Sequence, residues 1–205
     1  MQVRQVRGGD TDALHAISLA TGAAGGNASH LYRDGMLMGH IYAAPYAIFE
    51  PGLALVVEDQ DGVAGYVVGV VDTRAWEHRL EREWWPTLRA RYERPVGPRS
   101  AWSADQRRAE MIHAPEPTPK SVSEGYPAHL HLNLLPRLQG RGVGSRLLRD
   151  WLSLARDRGA RAVHVGVNHE NRRGLVFWAR RGFAALTVDG GPSRTVWMGR
   201  SLNAG

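Results

Sequence analysis

Two stretches of this chain carry residue types suited to chemistry. The first is Gln139-Gly140-Arg141-Gly142-Val143-Gly144-Ser145, with three glycines in five positions. Glycine has no Cβ, so main-chain N–H groups at such positions can point outward unobstructed. A helix starting there adds its unpaired N–H groups and the positive end of its dipole. Together these make an anion site, most often for phosphate. Arg137 and Arg141 flank the stretch with guanidinium charge. A plain tight turn is the competing reading; a strand before and an amphipathic helix after favour the anion. The second stretch is residues 128–134, Ala-His-Leu-His-Leu-Asn-Leu, which alternates with period two. It sets His129, His131 and Asn133 on one strand face, and an imidazole with a reference pKa of about 6.5 can take a proton near neutrality. Packing as satisfied polar side chains is the alternative for these histidines.

The elements that must position these residues follow from patterning. Residues 2–7 alternate as a first strand, and Asp10 is placed to N-cap a helix over 11–19. Residues 31–42 read as a second helix interrupted at Gly35 and Gly39. Residues 53–59 and 63–71 flank Asp61-Gly62 as a hairpin. Residues 72–125 differ in character, holding Trp76, Trp84, Trp85, Trp102 and a Pro-rich end. Within them, 74–92 has Trp76, Leu80, Trp84 and Leu88 at four-residue spacing and 105–113 is a further helix. This segment is an insertion that either packs onto the body through its tryptophans or lines a site as a lid. After 128–134, the helix from Ser145 carries Leu147, Leu148, Trp151, Leu152, Leu154 and Ala155 on its apolar face. Residues 162–167 form a strand parallel to 128–134. A helix over 173–181 and strands over 184–188 and 195–200 follow, with Gly190-Gly191-Pro192 turning between the last two.

A length of 205 residues fits a single domain, 1–205, with its insertion at about 72–125. There is no cysteine, which removes disulfides, thiolate nucleophiles and Cys-ligated metals, and no metal site is expected. No run approaches the roughly 18 apolar residues of a membrane span and the N-terminus has no apolar signal core, so a cytoplasmic protein is expected, with no membrane partner. The net charge of +6 comes almost wholly from arginine, Lys120 being the one lysine. The basic residues are scattered rather than blocked, which argues against nucleic acid and favours the blander readings, a polyanionic small molecule or only an arginine-rich genome.

The order of elements and two motifs resemble the GNAT superfamily of acetyl-CoA-dependent N-acetyltransferases. Gln139-Gly140-Arg141-Gly142-Val143-Gly144 is similar to that family's Q/R-x-x-G-x-G/A acyl-CoA signature. Asn171-Arg172-Arg173-Gly174-Leu175-Val176-Phe177-Trp178-Ala179-Arg180-Arg181-Gly182-Phe183 looks like its second signature, N-x-x-A/G-x-x-F/Y-Y-x-x-x-G-F. The stretches Val57 to Asp72, Trp85-Pro86 and Gly199 to Leu202 more closely resemble the acetyltransferase-like domain at the C-terminus of O-GlcNAcase and its stand-alone bacterial relatives. The resemblance implies an α/β (α+β) GNAT fold: a mixed central sheet with splayed parallel strands 4 and 5, helices on both faces, and a helical insertion between strands 3 and 4.

It further implies acetyl-CoA as co-substrate, its diphosphate on the N–H groups of Gln139, Gly140, Arg141, Gly142, Val143, Gly144 and Ser145. The pantetheine arm would pair with main-chain groups of Leu134 and Leu135 and be lined by Asn171, Gly174 and Phe177, with Asn168 a weaker candidate. The implied reaction is direct attack of a primary amine on the thioester in a ternary complex. His131 and His129 are the candidate bases, with Glu124 and Tyr126 in reserve. Many family members have a tyrosine acid where this chain has Trp178, whose indole N–H cannot give up its proton at ordinary pH. A catalytically weak acetyl-CoA-binding module that recognises a peptide or protein is therefore the alternative. The acceptor amine, small molecule or protein, has no code in the sequence.

Overall fold

The computed structural model describes residues 1–188 and 194–202. Its centre is a seven-stranded sheet in the order β1-β2-β3-β4-β5-β7-β6. The strands are β1 (Gln2–Gln5), β2 (Ala54–Asp59), β3 (Gly62–Val70), β4 (Ala128–Leu134), β5 (Ala162–Asn168), β6 (Ala184–Ala185) and β7 (Thr195–Ser201). The helices are α1 (Thr11–Ala20), α2 (Leu37–Tyr42), α3 (Ala44–Phe49), α4 (Thr73–Glu83), α5 (Trp85–Arg91), α6 (Ala104–His113), α7 (Lys120–Gly125), α8 (Val143–Asp157) and α9 (Arg172–Ala179). All pairings are antiparallel except β4 with β5, which are parallel and paired only at Ala128↔Val163 and His129↔His164. Beyond those pairs the two strands part, as the resemblance implied.

Alternation along the strands divides the core in two. Leu55, Val57, Val67 and Leu130 face α8, whose Leu147, Leu148, Trp151, Leu152 and Ala155 complete one layer. Trp151 is wholly buried and its indole N–H donates to the Leu53 carbonyl at 2.9 Å. A Cβ on Gly69 would stand 2.6 Å from its ring, so the strand keeps glycine there. Truncating such an anchor to alanine costs about 3–5 kcal/mol. On the other face Val56, Tyr66, Val68 and Val70 pack with Leu14, Ile17, Leu37 and Tyr46. Trp76, Leu80, Trp85, Leu88 and Ile112 of the 72–125 insertion belong to this same layer.

Several expected boundaries shift. Asp10 precedes α1, but its carboxylate accepts from Arg7 N–H and pairs with Arg4 instead of capping the helix. The expected helix over 31–42 is α2 alone; Pro45 then starts α3, which periodicity did not predict. Residues 74–92 form two helices with the break at Trp84, because Pro86 lacks an N–H to continue the ladder. The short α7 was not anticipated. The strand expected over 184–188 shortens to Ala184–Ala185, with Leu186 N–H adding one bond to the Trp197 carbonyl at 2.8 Å. The expected turn at Gly190-Gly191-Pro192 lies outside the described residues.

Candidate functional site

The glycine stretch leads directly into α8. Gly142 is the N-cap residue, with φ 77°, and Gly140 has φ 73°, both in the left-handed region that glycine enters without strain. No atom lies within 4 Å of where a Cβ would stand on either, so the main chain there is open to approach. The Gly142 carbonyl accepts from Arg146 N–H at 3.1 Å. The amides of Val143, Gly144 and Ser145 precede that bond and have no partner within the helix. Val143 is buried and anchors the first turn in the core. Gly144 lies close to both motifs: a Cβ there would sit 3.3 Å from Phe177 and 3.4 Å from Leu134.

The strand end meets this turn through Gln139, whose side-chain amide donates to the Leu134 carbonyl at 2.8 Å. Leu135 N–H donates to Ala64 O at 2.8 Å, so it is spent within the sheet. Ladder alternation turns the main chain of Leu134 the other way, toward the gap beside β5. The Leu135 N–H is therefore engaged within the sheet, whereas the main chain of Leu134 faces the gap. Arg137, flanking the turn, holds Asp59 bidentately at 2.8 and 3.1 Å, and this partner keeps the Asp59 carboxyl below its ordinary range. Arg141 remains exposed beside the turn. The Ser145 hydroxyl accepts from Arg181 Nε at 2.9 Å. It opens a cavity of about 220 Å³ also lined by Arg149, Arg156, Arg181 and Arg200.

The second motif builds the start of α9. Asn171 is its N-cap, its Oδ1 accepting from Gly174 N–H at 2.9 Å. A Cβ on Gly174 would come within 2.6 Å of the Asn171 amide, and Gly25 packs over the same side chain. Asn171 and Gly174 thus hold the helix that presents Phe177 to Gly144. Trp178 is 8% exposed, with ring centroids 5.0 Å from both Phe177 and Phe183, and is a core residue.

The histidine face of β4 looks toward α3. His129 is buried and both ring nitrogens are engaged, with Thr73 Oγ1 at 2.7 Å from Nδ1 and Tyr46 Oη at 2.7 Å from Nε2. The Thr73 hydroxyl donates to Pro127 O at 2.7 Å. Its oxygen must then accept, which puts the proton on His129 Nδ1. Nε2 then accepts from Tyr46, and Tyr46 Oη in turn accepts from His131 Nε2–H at 3.2 Å. That chain leaves Nδ1 of His131 as its basic nitrogen. Burial pushes the Tyr46 phenol upward, keeping it a donor. Burial, then His164, push the His131 imidazole down to about 4. Burial holds His129 well below 6.5, with His164 and His131 adding to the effect. Of the two candidate bases, His129 has no lone pair to spare and His131 has one.

The reserve candidates lie elsewhere. Glu124 is exposed on α7 and pairs with Lys120 at 3.5 Å. Tyr126 is held by its carbonyl, which accepts from His164 Nδ1–H at 2.6 Å, while its ring covers Gly199. Tyr46, Thr73 and Arg181 were missed in the sequence, since each earns its place only through contacts with residues far along the chain. Among the described residues no cluster of three or more His, Asp or Glu could hold a metal, and no helix is long and apolar enough to cross a membrane.

Comparison with known proteins matches residues 31–183 to the model of the Acetyltransferase (GNAT) family. Protein O-GlcNAcase of Rattus norvegicus is 25% identical over 148 residues, 72% of this chain but only 16% of that much longer protein. The crystal structure of SsHAT superposes with a TM-score of 0.88 at 34% identity, covering 99% of this chain and 98% of that one. PaiA N-acetyltransferase from Thermoplasma acidophilum, in complex with coenzyme A, shares the fold at 12% identity, with a TM-score of 0.58 and 98% of each chain covered.

Proposed function

The chain belongs to the GNAT acetyltransferase family, and from that premise we propose that it binds acetyl-CoA and transfers the acetyl group to a primary amine in a ternary complex. The observation that carries this reading is the closeness of Gly144 to both Phe177 and Leu134, which leaves room at that position for little more than hydrogen. It draws the glycine turn, the second motif and the open edge of β4 to one spot. The fit to a phosphorylated ligand is good. Open space lies over Gly140 and Gly142, and the amides of Val143, Gly144 and Ser145 converge at a helix N-terminus. In this reading the amides of 139–145 take the diphosphate, helped by Arg141. Leu134 offers its main chain to the pantetheine amides, Gln139 steadies the strand end, and Phe177 lines the arm from a helix that Asn171 and Gly174 hold. The arginine cavity that begins at Ser145 supplies charge for a further phosphate.

Bound acetyl-CoA supplies an activated acyl carbon. The protein then orients the amine and manages its proton. As the C–N bond forms and the C–S bond breaks, the amine proton passes to Nδ1 of His131, and the thiolate takes its proton from water. Tyr46 Oη accepts from His131 Nε2–H and so stabilises the imidazolium that forms. His129 and Thr73 hold Tyr46 in that orientation. A base near 4 gives little driving force for the transfer, and the core packing of Trp178 provides no acid for the thiolate. These two observations favour slow turnover and keep a second reading, an acetyl-CoA-binding module that engages a peptide or protein, in view.

A calorimetric titration followed by thiol release with a panel of amines separates the two. Saturable acetyl-CoA binding with amine-dependent CoA release is expected. Binding without release would leave only the module, and no binding would end both.

A further inference from the structure

Among the described residues eleven arginines meet a carboxylate; Arg108, set between two tyrosines, does not. It lies on α6, whose start is fixed by a Ser103–Gln106 capping box. Its Nε donates to Tyr32 Oη at 3.0 Å and one terminal nitrogen donates to Tyr42 Oη at 2.9 Å and Met111 Sδ at 3.0 Å. Among the described residues no acid lies within ion-pair distance, although the side chain is largely buried. A largely buried cation met, among the described residues, only by two phenols and a thioether is incompletely neutralised, and among those residues its second terminal nitrogen has no hydrogen-bond acceptor. The same Tyr42 ring separates this cation from the candidate base. The Arg108 guanidinium carbon is 5.5 Å from the ring centroid, and the His131 ring is 5.6 Å away on an edge-to-face contact.

We propose that Arg108 receives a carboxylate of the acceptor, so that the substrate class is an amine carrying a carboxylate a few bonds from the reacting nitrogen. This rests on the acetyl-transfer reading of the site. The planar guanidinium fork pairs with a carboxylate through two parallel hydrogen bonds, which fixes orientation as well as charge. The amine end of a short amino acid held this way is directed past Tyr42 toward His131. A free amino acid and an acidic residue beside a peptide N-terminus present the same chemistry. The insertion thereby supplies the acceptor's anchor from α6 while β4 supplies the base.

The test compares glycine, β-alanine, 4-aminobutyrate and 6-aminohexanoate with their carboxamides, and an Asp-Gly dipeptide amide with its Asn-Gly counterpart. Thiol release should favour at least one acid over its amide by about tenfold or more in kcat/KM. Preference confined to the free amino acids, or to the dipeptide, identifies the source of the carboxylate. Arg108→Gln should bring that ratio close to one, and Arg108→Lys should restore part of it. Acetyl-CoA affinity serves as the folding control. An unchanged ratio in Arg108→Gln, or no preference in the wild type, overturns the proposal. Should acetyl-CoA bind and no amine release CoA, the transfer reading fails by itself. The carboxylate site is then read by calorimetry of N-acetyl-4-aminobutyrate with CoA present. Binding that Arg108→Gln weakens about tenfold supports the site, and equal affinity in both proteins ends it.

Discussion

At the scale of single residues, the candidate base shows how burial reshapes a histidine. A free imidazole titrates at about 6.5, but the desolvated ring of His131, with His164 nearby, is pushed down to about 4. It is neutral at every pH from about 5 upward, so its own titration does not limit a reaction near neutrality. For an amine acceptor, kcat/KM should therefore rise with pH as the ammonium loses its proton, without an inflection at about 6.5. A pH–rate profile checks this, and a clear break near 6.5 would assign the proton transfer to a less buried group. His131→Asn should lower kcat by about 100-fold while leaving acetyl-CoA affinity nearly intact. The partner of His131 in this arrangement, Tyr46, is on α3, more than eighty residues away in the chain. No local pattern in either stretch announces the pair.

At the scale of elements, the turn into α8 works by its main chain. Both Gly140 and Gly142 need positive φ, and the latter is the helix N-cap. Gly142→Asp would set a carboxylate against the amides offered to the diphosphate. Like charges a few ångströms apart near a surface repel by several kcal/mol, so affinity for acetyl-CoA should fall by about 100-fold or more. Gly142→Asn is the control, since asparagine tolerates the left-handed region and carries no charge. It should lose far less, as measured by calorimetry. Equal losses in the two variants would mean that backbone strain, and not charge, explains the effect. The strand before this turn was legible from its alternation, and the helix after it from its apolar face. The break between α4 and α5 at Trp84 and the start of α3 at Pro45 were legible only in hindsight, because proline ends or begins a helix according to what surrounds it.

At the scale of the molecule, five histidines are held neutral in or beside the core. Burial lowers His15, His40, His129, His131 and His164, with His40 and His131 pushed to about 4. Groups whose folded pKa is depressed contribute stability that is whole above their unfolded value of about 6.5 and is lost as pH falls through the folded value. The carboxylates with lowered values, such as Asp10 and Asp34, act only below their ordinary range. Denaturant midpoints should thus fall between pH 7 and pH 4.5, and His40 by itself accounts for up to about 3 kcal/mol by pH 4. His40 is buried between His15 and Arg91, and among the described residues its Nδ1 has no hydrogen-bond partner. His40→Leu should flatten the pH dependence of the midpoint, and an unchanged slope would refute this account.

The sequence by itself determined the local pieces: the glycine turn, the strand and helix on either side of it, the hairpin, and the two motifs that carry the family resemblance. These are readable because turn chemistry and periodicity act over a few residues. Only the tertiary structure decided what those pieces touch. It joined Gly144 to Phe177 and Leu134, took Leu135 into the sheet and Arg137 to Asp59, and separated His129 from His131 by the number of lone pairs each has left. It also set Arg108 of the insertion across Tyr42 from His131. Such pairings depend on burial and on contacts between distant parts of the chain, which no short window of sequence contains.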